Sequence, residues 1–459
     1  MRRAETLNKH EVDAYLSGAI DVGTGVPATA AAAPALDDVM AGLADLRLPA
    51  GGVVVLSMSN GVDPLTYYFA ALLLGFVPLF ISPATPSARV AELVRRLGAH
   101  ALIARQLTAA LRPAGGVRAV GPAVAAVFDH GPSAYAPGEV LMLTSGTSGM
   151  YSACVHRVES LLRNARRHAE AVGLRADDVM LINLPLHYSY ALVAQALGAF
   201  VSGARPVVTG PPFSPASYVS TIGRHGVTSS SITPTIARAL LNHADRLPAT
   251  LRTLTVGGAR MGVDQVAGLL ALNPDGELYV TYGLTEAGPR VSTLAAHEEP
   301  ARRHSSVGRP LPGVRAWIRD GAAEGELLVE SDTVLLRKVG AGKALMRPGV
   351  IGTGDVFGID DGYLYFQARL SDVVVLRGEK VSLSTVRDAA LAIPGVLSCT
   401  PQVEVAEDGD AYLDVKVVVA NAEDDTERRV RRILNSYLLP GERPRKIFIA
   451  AGDTVDFFK

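Results

Sequence analysis

Short apolar segments alternate with longer amphipathic segments from Gly52 onward, and this alternation constrains the fold more than any other feature. VVVLSMS, VPLFIS and ALIAR have the length and apolar character of buried strands. DPLTYYFAALLLG and SARVAELVRRLGA, which lie between them, have the composition of helices. The alternation returns between residues 179 and 283, with a helix expected from about Tyr190 to Ser202. It predicts parallel sheets with helices on both faces.

The composition changes after about residue 308. GVRAWIRD, GELLVES and GYLYFQA are short and separated by Gly and acidic turns, which is typical of antiparallel strands. A segment of about 90 residues after Arg369 has the order strand, helix, strand, strand, helix. We therefore predict an α/β fold with a large N-terminal domain of layered sheets and a β-rich subdomain (1–368), and a small α+β C-terminal domain (369–459). Residues 24–36 have low complexity and are expected to form a connector.

Charge and cysteine content exclude several classes of function. The 44 Lys and Arg balance 45 Asp and Glu, so no basic excess points to nucleic acid or an anionic membrane. The most apolar stretch, Tyr67–Ile81, is shorter than the roughly 20 residues of a membrane helix, and we expect a buried helix and strand there. Two cysteines cannot form a disulfide framework or a Cys-based zinc site. We expect no nucleic acid, no membrane insertion and a cytoplasmic location.

The first motif that carries chemistry follows the apolar strand EVLMLTS. Six small residues stand in a row, four with hydroxyl groups and two without side chains. Such a loop lets backbone N–H groups and hydroxyls converge on an anion, although a flexible Ser/Gly turn has the same composition. It lacks the lysine of a Walker loop. The candidate phosphate-binding residues are Thr144, Ser145, Gly146, Thr147, Ser148 and Gly149.

The second motif is Tyr282-Gly283-Leu284-Thr285-Glu286, directly after the predicted strand ELYVT. Tyr282 can stack on a base, and Gly283 permits a tight turn. Thr285 offers a hydroxyl to phosphate, and Glu286 offers a hard oxygen ligand to Mg²⁺. The string is short and also compatible with an ordinary strand-to-loop turn.

The third motif is Thr353-Gly354-Asp355, between two predicted strands, where one carboxylate can accept both hydroxyls of a ribose. The three strings in this order resemble those of the adenylate-forming superfamily, which comprises acyl- and aryl-CoA synthetases, adenylation domains of non-ribosomal peptide synthetases, and luciferases. The resemblance extends over about residues 40–459, including LPLHYSYALVAQALGAF, LTVGGARM and ARLSDVVVLRGEKVSLSTV.

The resemblance implies a two-step reaction. ATP and a carboxylate form an acyl-adenylate and pyrophosphate, then the mobile C-terminal domain rotates and an acceptor takes the acyl group. Thr285 would contact the α-phosphate, Glu286 would hold Mg²⁺, and the 144–149 loop would hold the β- and γ-phosphates. The implied adenosine-binding residues are Gly257, Gly258, Ala259, Tyr282, Gly283, Asp355 and Arg369.

The sequence departs from the family pattern in its phosphate loop, at its hinge, where Ser371 stands in place of the usual Asp or Lys, and before its C-terminal lysine. The family usually continues its phosphate loop with Pro-Lys, where this chain has Tyr151-Ser152. A positive charge is therefore missing, and His156 or Arg157 is a candidate replacement. The catalytic lysine of the C-terminal domain normally follows a Gly, whereas the candidate here, Lys459, follows Phe458.

The resemblance places the acid beside His187, Tyr188, Tyr190 and Thr233, although such residues are as often ordinary core. Aromatic walls suit an aryl or unsaturated carboxylic acid. The acceptor would be coenzyme A, the phosphopantetheine of a free-standing acyl carrier protein, or a small nucleophile. Two alternatives stay open. A divergent member would activate another oxyanion such as nitrite, for diazo formation, or couple an amine, and a non-catalytic relative would only bind nucleotide.

Overall fold

The computed structural model describes residues 7–23, 34–113, 116–144, 152–340, 345–376, 379–405, 411–438 and 440–452. The predicted phosphate-loop residues Ser145 to Gly149, the C-terminal Lys459, and residues 24–33 of the predicted connector lie outside these ranges.

The helices of these ranges differ in length and type. The α-helices are α1 (Lys9–Ser17), α2 (Leu36–Ala44), α3 (Val62–Leu73), α4 (Ser87–Leu97), α5 (Val158–Ala171), α6 (Gly198–Ser202), α7 (Pro215–His225), α8 (Pro234–His243), α9 (Val263–Leu272), α10 (Leu383–Leu391) and α11 (Thr426–Tyr437). A π-helix spans Tyr190–Leu197. Single 3₁₀ turns span Ala109–Leu111, Thr285–Ala287, Ala301–Arg303, Arg319–Gly321, Leu370–Asp372 and Pro440–Glu442.

The strands alternate with these helices up to about residue 283. They are β1 (Ile20–Gly23), β2 (Val53–Ser57), β3 (Val77–Ile81), β4 (Ala99–Ala104), β5 (Val117–Val120), β6 (Ala123–Val127), β7 (Glu139–Thr144), β8 (Ser152–Arg157), β9 (Val179–Ile182), β10 (Arg205–Thr209), β11 (Ser229–Ile232), β12 (Thr253–Val256), β13 (Glu277–Gly283), β14 (Arg290–Ala295), β15 (Arg309–Pro310), β16 (Val314–Ile318), β17 (Glu324–Ser331), β18 (Arg337–Val339), β19 (Leu345–Arg347), β20 (Val350–Asp360), β21 (Tyr363–Arg369), β22 (Val373–Leu376), β23 (Glu379–Ser382), β24 (Val396–Val405), β25 (Ala411–Val419) and β26 (Lys446–Ala451).

Two eight-stranded sheets form the large N-terminal part. The first has the order β18-β8-β7-β3-β2-β4-β6-β5, and the second has the order β1-β10-β9-β11-β12-β13-β14-β15. Strand β2 pairs in parallel with β3 and β4, and strands β9 to β13 of the second sheet are also parallel. The predicted parallel pairing is therefore confirmed for the central strands of both sheets. Towards the edges the pairing is antiparallel, at β5, β6, β8 and β18 of the first sheet and at β14 and β15 of the second.

Local sequence explains why the helices between these strands form. In α4 the buried side chains recur at helical spacing and face the first sheet, and Arg95 and Arg96 lie in its last turn. The helix ends at Gly98, whose φ of +59° is unfavourable for residues with a side chain. The predicted apolar helix and strand within Tyr67–Ile81 are α3 and β3, both buried. Within the described ranges, no helix has the length and hydropathy needed to cross a bilayer.

The predicted helix from about Tyr190 to Ser202 is confirmed, and its first eight residues form a π-helix before α6 begins. The fully buried Gln195 lies in this segment, and its amide donates to the carbonyl of Leu181 and to Asn183 Oδ1. The π-helical turns that occur inside helices are frequently found at functional sites.

The β-rich part forms a third, antiparallel sheet of β16, β17, β20 and β19, with β21 on the outer side of β20. In the C-terminal part, β24, β25 and β26 form a sheet that packs with α10 and α11 around its own apolar core. The mixed α/β and α+β composition agrees with the predicted fold class. The division into two domains at residue 368 stays a prediction.

Candidate active site

The carboxyl ends of β11, β12 and β13 lie at the same edge of the second sheet, because these strands are parallel. Thr233, Gly257 and Gly283 stand at these ends, so three candidate residues are brought to one edge. The hydroxyl of Thr233 accepts from Ile236 N at 3.3 Å and caps α8. Its described hydrogen bond is thus structural, and a role in acid binding stays a prediction.

Close packing explains the glycine at 257. A Cβ there would lie 2.5 Å from Thr281 Oγ1 and 3.4 Å from Tyr190 Cε1. The next residue, Gly258, has a φ of +94°, which residues with side chains rarely adopt. The backbone of Gly257 therefore lies directly against the ring of Tyr190, without an intervening side chain.

Hydrogen bonds join the second and third motifs. The Tyr282 hydroxyl donates to Asp355 Oδ2 at 2.7 Å, and Arg369 Nε donates to Asp355 Oδ1 at 2.8 Å. Asp355 is 1% exposed, and burial together with this carboxylate holds the pKa of Tyr282 well above its usual value. Each oxygen of the Asp355 carboxylate can accept a further hydrogen bond. Asp355 can therefore bind both hydroxyls of a diol while it keeps its contacts with Tyr282 and Arg369.

The turn Thr285–Ala287 contacts β7 of the first sheet. Thr285 Oγ1 lies 2.9 Å from Ser189 Oγ, at the residue before the π-helix. At the end of β7, Thr144 Oγ1 lies 2.6 Å from Ser152 Oγ on β8. Thr144, the first residue of the predicted phosphate loop, and Thr285, the predicted contact of the α-phosphate, thus belong to neighbouring elements.

Sequence reasoning missed the charged partner of Glu286. Lys338 Nζ lies 2.9 Å from Glu286 Oε1, and each side chain is only 17% exposed. Lys338 is directly opposite Cys154 in the pairing of β18 with β8. Because side chains alternate along a strand, Lys338 is on the same face of the sheet as Ser152. No local signal marks Lys338, since its position depends on pairing with a strand about 180 residues earlier in the chain.

The two candidate replacements for the missing phosphate-loop lysine do not occupy this position. Burial lowers the pKa of His156 to about 4, although contacts with the carbonyls of Thr285 and Thr333 act in the opposite direction. His156 is therefore neutral at pH 7. Arg157 is exposed and points from the opposite face of β8. Lys338 is the cation that the described structure places beside Glu286.

Aromatic rings line the segment before the π-helix. The rings of His187 and Tyr188 have centroids 4.3 Å apart. The hydroxyl of Tyr190 lies 2.8 Å from Thr255 Oγ1, and the guanidinium carbon of Arg290 lies 4.6 Å from the Tyr190 ring centroid. The three predicted wall residues are thus close together along the chain, with Tyr190 buried and His187 and Tyr188 partly exposed. Arg290 is a further residue beside Tyr190 that the sequence did not reveal.

The donor set suits a metal ion that is bound mainly through a phosphate ligand. Among the described residues, no group of three His, Cys, Asp or Glu side chains is close enough to hold a metal ion alone. Glu286 supplies one carboxylate, and Mg²⁺ is commonly bound by one or two carboxylates together with substrate phosphates. The residues therefore fit Mg²⁺ bound together with a nucleotide.

The sequence profile of the AMP-binding enzyme family matches residues 35–337, about two thirds of the chain. The chain belongs to this family. The match covers the first two sheets except β1 and the last two residues of β18, and it includes the Tyr282–Glu286 motif.

Curated relatives of this AMP-binding enzyme include two coenzyme A ligases. The 3-[(3aS,4S,7aS)-7a-methyl-1,5-dioxo-octahydro-1H-inden-4-yl]propanoyl:CoA ligase of Rhodococcus jostii is 28% identical over 67% of this chain and 62% of its own length. The 2-succinylbenzoate–CoA ligase of Bacillus pumilus is 31% identical over 52% of this chain and 51% of its own length. The match thus spans less than two thirds of either relative.

A solved structure shows the same fold over most of the chain. The o-succinylbenzoate coenzyme A synthetase of Bacillus subtilis, in complex with the acyl-adenylate intermediate OSB-AMP, superimposes with a TM-score of 0.76 at 21% identity. The superposition covers 90% of this chain and 88% of the other. The same synthetase in complex with ATP and magnesium ion gives a TM-score of 0.74.

Proposed function

We propose that this AMP-binding enzyme is an acid–CoA ligase that activates a carboxylic acid as an acyl-adenylate and then transfers the acyl group to a thiol. The observation that carries the proposal is the hydrogen bond from Tyr282 to Asp355, which joins two motifs 73 residues apart. It places an aromatic ring and a buried carboxylate beside each other, as adenosine binding requires. The relatives that are coenzyme A ligases support the reaction class.

In this proposal the nucleotide lies along the edge formed by Gly257, Tyr282 and Thr285. Tyr282 stacks on adenine next to the backbone at Gly257, where no side chain intervenes. Asp355 accepts the ribose hydroxyls, and Arg369 fixes the carboxylate. The hydroxyl of Thr285 donates to the α-phosphate.

Charge neutralisation is the main catalytic requirement, because a carboxylate must attack a phosphate that is itself anionic. Bound Mg²⁺ would supply part of this neutralisation, with Glu286 as its protein ligand. Lys338 supplies another part. Its ammonium, 2.9 Å from Glu286, would face the phosphates in place of the lysine that Ser152 replaces.

The acid lies against His187, Tyr188 and Tyr190, whose rings suit a flat aryl or unsaturated acid. The acceptor is coenzyme A or the phosphopantetheine of an acyl carrier protein. Names of the relatives support coenzyme A.

Pyrophosphate release from ATP tests the proposal, measured over a panel of aryl, alkenyl and alkyl acids with and without coenzyme A. We expect acid-dependent release, and thioester formation when coenzyme A is present. Nitrite-dependent AMP formation with an aryl amine, but no acid-dependent release, would contradict the proposal and favour activation of another oxyanion. ATP binding without turnover of any compound would contradict both and favour a non-catalytic nucleotide-binding protein.

A further inference from the structure

Arg290 is a buried cation without a counter-ion in the part of the chain that the structure describes. Its side chain is 2% exposed, and its Nε and Nη2 atoms have no hydrogen-bond partner there. No described carboxylate lies within ion-pair distance of it. In contrast, Arg319 and Arg337 each contact one carboxylate, and Arg252 contacts two.

The structure fixes the backbone of Arg290 and places its side chain over Tyr190, one of the predicted acid-binding residues. Asn164 Oδ1 accepts from Arg290 N at 2.9 Å, and Asn164 Nδ2 donates to Arg290 O at 2.9 Å. The guanidinium lies over the ring of Tyr190, 4.6 Å from its centroid. Arg290 is paired with Gly283, so it belongs to the same sheet edge as the nucleotide motif.

The groups around Arg290 do not neutralise it. Burial and the nearby guanidinium lower the pKa of His168 to about 3, so this imidazole is neutral. The Tyr190 hydroxyl lies 2.8 Å from Thr255 Oγ1 and carries no charge that could balance the guanidinium. Arginine stays protonated in proteins even where burial lowers its pKa. A buried charge without a partner is strongly unfavourable, so the site is suited to a ligand that brings the missing anion.

We propose that Arg290 binds an anionic group of the acid substrate that is remote from the reacting carboxylate, so that the preferred substrates carry two anionic groups. This inference rests on the proposed function and specifies its substrate class. Arg290 is deeper than Tyr282, Thr285 and Glu286, which are partly exposed. The deep end of the acid site therefore faces Arg290, and the reacting end faces the nucleotide.

The reacting carboxylate is a poorer candidate for this partner. A carboxylate held in a buried ion pair with a guanidinium loses nucleophilicity, whereas the attack on the α-phosphate requires a reactive oxygen. A second anionic group, in contrast, gains orientation and specificity from the same contact, because a site built to bind a charged group rejects analogues without it.

A matched set of acids tests the inference. Benzoate is compared with benzene-1,3- and 1,4-dicarboxylate, and hexanoate is compared with adipate, with kcat/KM for pyrophosphate release as the readout. We expect the wild type to prefer a diacid over its monoacid, and Arg290→Gln to reduce kcat/KM for diacids by about 10- to 150-fold with little change for monoacids. Equal losses for both members of a pair, or no preference in the wild type, would overturn the inference.

Binding measurements separate this inference from the proposed function. Calorimetric titration of the same acids in the presence of AMP reports on the Arg290 site even if no acid is adenylated. Absence of turnover with selective diacid binding contradicts the proposed function alone. Turnover of monoacids with no diacid selectivity in either assay contradicts the Arg290 inference alone.

Two further variants guard against an effect on folding. Arg290→Met removes the unpartnered charge, so its melting temperature without ligand should be no lower than that of the wild type, while a diacid should no longer raise it. Arg303→Met is the matched control, because Arg303 also lies over a tyrosine ring, at 4.3 Å from Tyr363, but is paired with Asp360. Arg303→Met should leave diacid selectivity unchanged. Loss of selectivity in both arginine variants would overturn the inference.

Discussion

Asp355 illustrates how a single residue can be preorganised for binding. Its carboxylate is buried, and its two oxygens are held by Tyr282 and Arg369 before any ligand is bound. These contacts fix the orientation of the carboxylate, so in the proposed ribose site no further ordering of Asp355 would be needed. The hydrogen bond from Tyr282 and the ion pair with Arg369 offset the unfavourable free energy of burying the Asp355 charge.

Asp355→Asn should raise the KM for ATP by about 10- to 150-fold, since hydrogen bonds to a charged group contribute roughly 1.5–3 kcal/mol. Asn keeps the size of the side chain but removes the charge. Asp360→Asn is a matched control on the same strand, because Asp360 is exposed and bonds to Arg303. The ribose assignment fails if the two variants have the same ATP dependence.

Lys338 is the second residue whose role follows from its surroundings. Lys338→Met should slow acyl-adenylate formation by roughly 10²–10³, the magnitude typical of losing one electrostatic donor in a transition state. Adding Ser152→Lys to this variant should restore part of the rate, because the two positions share one face of the sheet. Arg337→Met, on the neighbouring residue that pairs with Glu139, is the control. The measurement is the single-turnover rate of adenylation. If the double variant is no faster than Lys338→Met, Lys338 does not supply the charge of the lysine that Ser152 replaces.

At the level of elements, the C-terminal sheet depends on a partly buried ion pair. Arg445 donates to Asp414 from Nη2 at 2.9 Å, and Lys446 N donates to the same carboxylate at 3.1 Å, which ties β26 to β25. The hydrogen bonds from Arg445, assisted by Lys446 N, lower the pKa of Asp414 even though burial acts in the opposite direction.

The lowered pKa gives this contact a defined pH dependence. Its contribution is complete above the unfolded-state pKa of about 3.9 and is lost as the pH falls through the lower folded-state pKa. Asp414→Asn should therefore destabilise β25 and β26 at pH 7 by about 1–3 kcal/mol. The difference from the wild type should stay constant down to about pH 4 and shrink below it. Hydrogen exchange of the β25 and β26 amides measures the effect, with the exposed Asp424→Asn as control. A difference that grows at low pH would contradict the assignment.

How much could be predicted from the sequence depends on whether a feature is local. Strands β2 to β4 and helices α3 and α4 were predicted, because their burial patterns lie within a few residues. Strand β1 was not, because these four residues are ordered by pairing with β10, about 185 positions later. Lys338 and Arg290 were missed for the same reason. The pairing of β18 with β8 brings Lys338 to the site, and Arg290 is brought there by its contact with the ring of Tyr190. The sequence assigned Tyr282 and Asp355 to the same nucleotide site, but it did not predict the hydrogen bond between them.

At the level of the whole molecule, the candidate site is a junction of all three sheets of the N-terminal part. Thr144 and Lys338 belong to the first sheet, Tyr282 to the second and Asp355 to the third. The contacts of Tyr282 with Asp355 and of Glu286 with Lys338 therefore connect different sheets. Nucleotide binding at such a junction should stabilise the three sheets together.

The same junction leads into the small C-terminal part, because Arg369, which holds Asp355, is the last residue of β21 before the turn Leu370–Asp372. We propose that this part rotates between the two half-reactions and that Lys459, which lies outside the described residues, reaches the α-phosphate only in the first.

Lys459→Ala should then cut acyl-adenylate formation by roughly 10²–10³, because its ammonium neutralises charge that develops only in that transition state. Thioester formation from supplied acyl-adenylate should be nearly unchanged. Rapid-quench measurement of each half-reaction separates the two, with Lys446→Ala as a control on β26. Equal losses in both half-reactions would show that Lys459 acts on folding or on a shared binding step.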